Sequence, residues 1–180
     1  MKNTIYTALA AFLISTSMGH AQSDIFLLID GIQGESVDPQ HAGEIDVLTW
    51  SNNVTATAET TTGGGAKSGR LDFGDFQITK LIDTASLELY IRALTQVSIP
   101  HMTLTHLTPG TRPFEFLIIE MFDVKVVGIS IGGSGVDDGA TESVDFRPSV
   151  MEWNYIRQKT DGSEDTPVEF CYDLERNVEC

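Results

Sequence analysis

Basic residues are scarce in this chain: eleven lysines and arginines stand against twenty-six aspartates and glutamates, for a formal charge of −15. No basic cluster interrupts the excess. Non-specific nucleic-acid binding depends on replacing phosphate counterions with lysine and arginine, so DNA and RNA are excluded as partners. An anionic membrane surface is excluded for the same reason. Beyond residue 21 no stretch approaches the roughly 18 consecutive apolar residues of a spanning helix, so membrane insertion of the mature chain is not expected either. Cysteine is limited to Cys171 and Cys180, both within the last ten residues. Two thiols nine apart with no histidine beside them do not make a zinc site.

What is present begins with an export pattern. Lys2 supplies a positive start, Ile5 to Met18 is apolar and uncharged, and Gly19-His20-Ala21 places small residues where a signal peptidase reads. Residues 1–21 are therefore expected to be a cleaved signal peptide, and residues 22–180 a single domain, exported to the periplasm or the extracellular space. Loss of Lys2 takes the formal charge to −16. In an oxidising compartment a Cys171–Cys180 disulfide is expected, stabilising by about 2 to 3 kcal/mol in the chain-entropy model. Free thiols or a bridge between chains are the alternatives.

The mature chain reads as mainly β, in short runs rich in β-branched and aromatic residues between Gly, Pro, Asn and Asp. Strands are expected over residues 25–30, 44–55, 70–80, 102–107, 114–122, 123–131, 143–158 and 168–174. Gly74 breaks the third of these as a bulge would. Residues 56–69, with three consecutive glycines, predict a long loop or hairpin tip. One helix is expected over residues 84–97, capped by Asp83 or Thr84, with Leu87, Tyr90, Ile91 and Leu94 as the stripe buried against the sheet. This order predicts a small antiparallel β-barrel with one α-helix packed against it.

Motifs that could carry chemistry do not hold. His101 and His106, five apart on a strand, point to opposite faces, and His41 reads as an ordinary hydrogen-bonded histidine. Ser134 in Gly132-Gly-Ser-Gly-Val136 lacks the second glycine and the following helix of a nucleophile elbow. Gly63-Gly-Gly-Ala-Lys67-Ser68 lacks the glycines of a phosphate loop. Asp137-Asp138 with Glu142 does not match a calcium loop. No enzyme activity, cofactor or metal is expected.

Three groups of residues, in this order and spacing, resemble the Hcp family of type VI secretion. They are Asp24-Ile-Phe-Leu-Leu-Ile-Asp-Gly31 leading to Gly34-Glu35-Ser36; His41-Ala-Gly-Glu-Ile-Asp-Val-Leu-Thr-Trp50; and Phe76-Gln-Ile-Thr-Lys80, Phe116-Leu-Ile-Ile-Glu120 and Ile131-Gly-Gly-Ser-Gly135. The resemblance implies a β-barrel with one helix, six copies of which close head-to-tail into a ring that stacks as a tube. It implies self-association, with secreted effectors in the lumen and spike or sheath components as further partners. The loop with Thr62, Gly63, Gly64, Gly65, Lys67 and Arg70 would lie on a neighbouring copy. A signal peptide departs from that pattern, so an exported Hcp-like binding module outside a contractile machine is the alternative, and a secreted hydrolase a distant third.

Overall fold

The computed structural model describes residues 24–57, 70–109, 113–133, 135 and 139–180. The signal-peptide reading and the motifs at residues 63–68, 134 and 137–138 lie outside them. Twelve strands and one helix follow in chain order: β1 Ile25–Ile29, β2 Ile45–Asp46, β3 Thr49–Ser51, β4 Val54–Thr57, β5 Arg70–Phe73, β6 Phe76–Leu81, α1 Ala85–Thr95, β7 Ile99–Leu107, β8 Glu115–Gly133, β9 Ala140–Arg147, β10 Val150–Tyr155, β11 Val168–Asp173 and β12 Val178–Glu179.

The chain is mainly β, with antiparallel pairing throughout. One sheet runs β12-β11-β10-β8-β7-β1-β2, a second that shares β8 with it runs β8-β9-β6-β3, and β4 and β5 pair as a separate two-stranded sheet. The expected barrel is realised as the two sheets that share β8 rather than as one continuous closed ladder. Between β2 and β3 the chain changes partner: the Val47 N–H donates to the Ile25 carbonyl at 2.9 Å, and the Leu48 N–H to the Thr79 carbonyl at 2.8 Å. The single strand expected over 44–55 is thus three short ones, because the segment passes from β1 to β6 and then to β5 as pairing partner.

Residues 114–122 and 123–131, expected as two strands, form one of 19 residues. Its first part pairs with β7 and β10 and its second with β9. Asp123 sits at the crossover with φ of 49°. Aspartate tolerates the left-handed region better than most residues, so the strand turns there without breaking. In turn, the long strand expected over 143–158 is two, β9 and β10, separated at Pro148-Ser149, where proline cannot donate to a ladder. Gly74 likewise separates β5 from β6.

The core lies between the sheets and is built of Leu27, Ile45, Phe76, Ile78, Met102, Leu104, Ile119, Met121, Val144 and Phe146, none more than 4% exposed. Gly34 is required by close approach: a Cβ there would lie 2.3 Å from the Glu44 carbonyl oxygen. That approach lets the Gly34 N–H donate to the Gly43 carbonyl at 2.8 Å and pins the loop preceding β2.

The helix packs with the opposite face from the one expected. Ala85, Ser86 and Leu89 are buried, whereas Leu87 is 74% exposed, Leu94 76%, and Tyr90 and Ile91 about half. Seven of its eleven residues are apolar, so two stripes of helical period coexist. The side with small residues wins because it lets the helix axis approach the sheet, and because Ser86 on that side has a polar partner to reach. Of the two expected caps, Asp83 accepts the Ser86 N–H through its side chain at 3.2 Å; Thr84 makes no side-chain cap.

Candidate functional sites

Three features concentrate polarity, burial or exposure beyond what a plain sandwich needs. The first is a buried charge cluster at the start of α1. Lys80 on β6 and Glu142 on β9 are direct cross-strand partners, and both side chains are fully buried. The Lys80 ammonium donates to Glu142 Oε1 at 2.8 Å, Asp83 Oδ1 at 2.6 Å, Ser86 Oγ at 3.1 Å and the Leu81 carbonyl at 2.8 Å. Ser86 Oγ also donates to Glu142 Oε1 at 2.8 Å. Every ammonium proton has an acceptor, so the cluster clamps the helix N-terminus to β6 and β9. With the Lys80 and Glu142 side chains fully buried, the cluster is closed to a substrate.

Sequence reading missed this cluster, although the signal was there. Phe76, Ile78 and Lys80 alternate along β6, as do Glu142, Val144 and Phe146 along β9, which places both charges on the inward face.

The histidines follow two different fates. His41 is buried and stacked on Phe26 at 4.3 Å; its Nδ1 lies 3.1 Å from Glu44 Oε1 and its Nε2 3.7 Å from Glu115 Oε1. It joins the loop before β2 to the start of β8. His106 Nδ1 accepts the Trp50 indole N–H at 3.4 Å, and burial holds the imidazole below its usual pKa against the opposing pull of Asp24. A depressed imidazole pKa means the unfolded chain takes up a proton first, so stability falls as pH drops below about 6.5 toward the folded value. His106→Gln should therefore unfold at urea midpoints that change less between pH 7.5 and 5.5 than the parent's; equal slopes would sink this account. No group of three or more metal-ligating side chains converges among the described residues.

The second feature is the exposed apolar face of α1: Leu87, Tyr90, Ile91 and Leu94, continued by Val97 at 52% exposure. On a chain this acidic, such a run is surface in search of a cover. Among the expected contact residues, Thr62, Gly63, Gly64, Gly65 and Lys67 lie outside the described residues, and Arg70 begins β5 opposite Thr57.

The third is the C-terminal hairpin. Cys171 and Cys180 are disulfide-bonded, with Cα atoms 5.4 Å apart, and the Cys180 N–H donates to the Cys171 carbonyl at 3.3 Å. The bond holds β12, only two residues long, against β11. Reduction should expose the amides of β12 to hydrogen exchange while leaving β7 and β8 protected, because the closed loop is peripheral to the core. Loss of protection throughout would show that the tail supports the whole fold.

Among the described residues no helix is long and apolar enough to cross a membrane. A family model described as "Type VI secretion system effector, Hcp" matches residues 26–155. Protein hcp1 of Pseudomonas aeruginosa is 35% identical over 158 residues, covering 87% of this chain and 98% of that protein. The crystal structure of Hcp1 from Salmonella typhimurium superposes with a TM-score of 0.71 at 28% identity, over 87% of this chain and 98% of its own. A structure of a type six secretion system protein gives 0.77 at 26% identity, over 88% and 99%. The family match ends at β10, so β11, β12 and their disulfide lie beyond it.

Proposed function

The chain belongs to the Hcp family of type VI secretion, a family of structural tube proteins, and from that premise we propose that it is a non-catalytic subunit of a homo-hexameric ring. Six copies meet head-to-tail and the closed ring stacks on others, with small secreted effectors carried in the lumen and with spike or sheath components at its ends. The observation that carries the reading is the uncovered face of α1, where Leu87 and Leu94 are each about three-quarters exposed. A heterologous contact that closes after six rotations would cover it on every copy.

The segment joining β4 to β5, with Thr62, Gly63, Gly64, Gly65 and Lys67, is assigned to the same contact together with Arg70 at the start of β5. Removing residues 56–69 should leave a folded subunit of lower ring mass; an unchanged ring mass would remove the loop from the interface. Residues 1–21 are assigned to a cleaved signal and residues 22–180 to a single exported domain. The C-terminal disulfide supports the export reading, since such bonds persist in oxidising compartments.

The test is the solution mass of residues 22–180 by light scattering under oxidising conditions. Six-fold mass supports the ring. A monomer mass favours the second reading, an exported Hcp-like binding module apart from a contractile machine, which the signal pattern and the disulfide together motivate.

A further inference from the structure

The sheet that carries β11 ends in an edge that β12 covers only in part. β12 pairs with Tyr172 and Asp173 and stops there, the Cys180 N–H reaching Cys171. In an antiparallel ladder successive residues turn their N–H and C=O alternately to the two sides. The Leu174 N–H donates to the Ser149 carbonyl, toward β10, so by alternation Phe170 also turns toward β10 while Glu169 turns its backbone donor and acceptor to the open side. Among the described residues Val168 to Phe170 is therefore a short free edge. An unpaired edge is a template for another strand unless something blocks it.

The two faces flanking that edge differ in chemistry. On one, Tyr155, Val168 and Phe170 are exposed by 47%, 67% and 50%, and Phe170 continues into an aromatic row with Tyr172 and Phe73. On the other lies an open cavity of about 340 Å³. Glu120, Glu152, Glu169 and Glu179 line it together with Asn154, the disulfide and the chain at Trp153 and Phe170, and among the described residues no lysine or arginine does. Beside it lies His101, whose Nε2 is 3.4 Å from Glu120 Oε1. Asn154 Oδ1 is buried without a hydrogen-bond partner among the described residues, a further acceptor awaiting a donor.

We infer that this edge is a docking site for an extended segment of another protein in which lysine or arginine alternates with apolar residues. Its backbone would add to β11 at Glu169. Its apolar side chains, on one face of the new strand, would lie along Val168, Phe170 and Tyr155. Its cations, on the other face, would enter the carboxylate-lined cavity and meet Asn154. Strand addition of this kind takes affinity from main-chain bonds and specificity from alternate side chains. A second copy is a poor occupant because no segment of this chain alternates lysine or arginine with apolar residues, whereas a basic strand is drawn to the carboxylates.

The experiment titrates the oxidised mature chain with three end-blocked hexapeptides that alternate lysine with valine, glutamate with valine, or lysine with serine, followed by fluorescence anisotropy at low salt. Only the lysine–valine peptide should bind. The double variant Glu152→Gln, Glu169→Gln should weaken it about tenfold, on the scale of two partly exposed ion pairs. Val168→Ser, at a position too exposed to unfold the domain, should weaken it several-fold. Equal binding of the lysine–valine and glutamate–valine peptides, or parental affinity in the charge variant, would overturn the assignment. Dissociation of assembled rings by the peptide would also overturn it, by giving the edge to a neighbouring subunit. Ring mass is read separately, so failure here is distinguishable from failure of the ring reading.

Discussion

Lys80→Met should lower the free energy of unfolding by about 3 to 5 kcal/mol, the range for removing one partner of a buried ion pair. Methionine fills much of the same volume, so the loss is electrostatic rather than a cavity. The substitution leaves Glu142 buried and faced by Asp83, which lies 12% exposed, with no cation between them. Glu142 Oε2 already lacks a partner among the described residues, so the carboxylate has no second arrangement to fall back on. Equilibrium urea denaturation measures the change. The paired variant Lys80→Met, Glu142→Met should recover much of it, because removing both charges leaves no stranded ion except the part-exposed Asp83. A loss under about 1 kcal/mol in the single variant would mean that the cluster is hydrated and is not the clamp described above.

The clamp has a structural consequence for assembly. Asp83 and Ser86 open the helix, and Lys80 and Glu142 belong to the two central strands of the second sheet, so the cluster fixes the angle at which α1 leaves it. At the other end, the Gln96 side chain donates to the Val126 carbonyl at 3.2 Å, tying the helix to β8. Fixed at both ends, α1 presents Leu87, Tyr90, Ile91 and Leu94 as a rigid row, at little entropy cost for any partner that covers it.

How much of this was legible in the sequence depends on whether one physical rule governed each element. The strands over 25–30, 102–107 and 168–174 follow from period-two alternation between turn residues, and the structure places them within two or three residues of expectation, β7 starting earlier at Ile99. The change of sheet partner at Val47-Leu48 and at Asp123 was not legible, because local pattern reports which residues are buried and not by which strand. The helix was found, but its face was misassigned. Periodicity says that a stripe will be covered and cannot say whether a sheet of the same chain or a second molecule covers it. The family resemblance rested on order and spacing over the whole length, and so survived these local errors.

Replacing both Leu87 and Leu94 with glutamate should abolish assembly at micromolar concentration while changing subunit stability by no more than about 0.5 kcal/mol, the usual range for exposed positions. The two residues sit seven apart on one face and touch no core side chain strongly enough to be buried. Covering each leucine at an interface is worth about 1.5 to 3 kcal/mol, and a glutamate forced into the same contact adds a desolvation cost. Each interface therefore loses several kcal/mol, and in the proposed ring of six that loss falls on every joint. Glutamate at 87 lies in the first helical turn, where the helix dipole favours it, so the helix itself is not weakened there. Light scattering should give subunit mass with unchanged thermal unfolding, whereas Val168→Ser, on the β11 edge, should keep the parental mass. If the double variant retained the parental ring mass, the exposed face of α1 would be excluded as the contact, and the joint would have to be sought in the segment between β4 and β5 or along the free edge of β11.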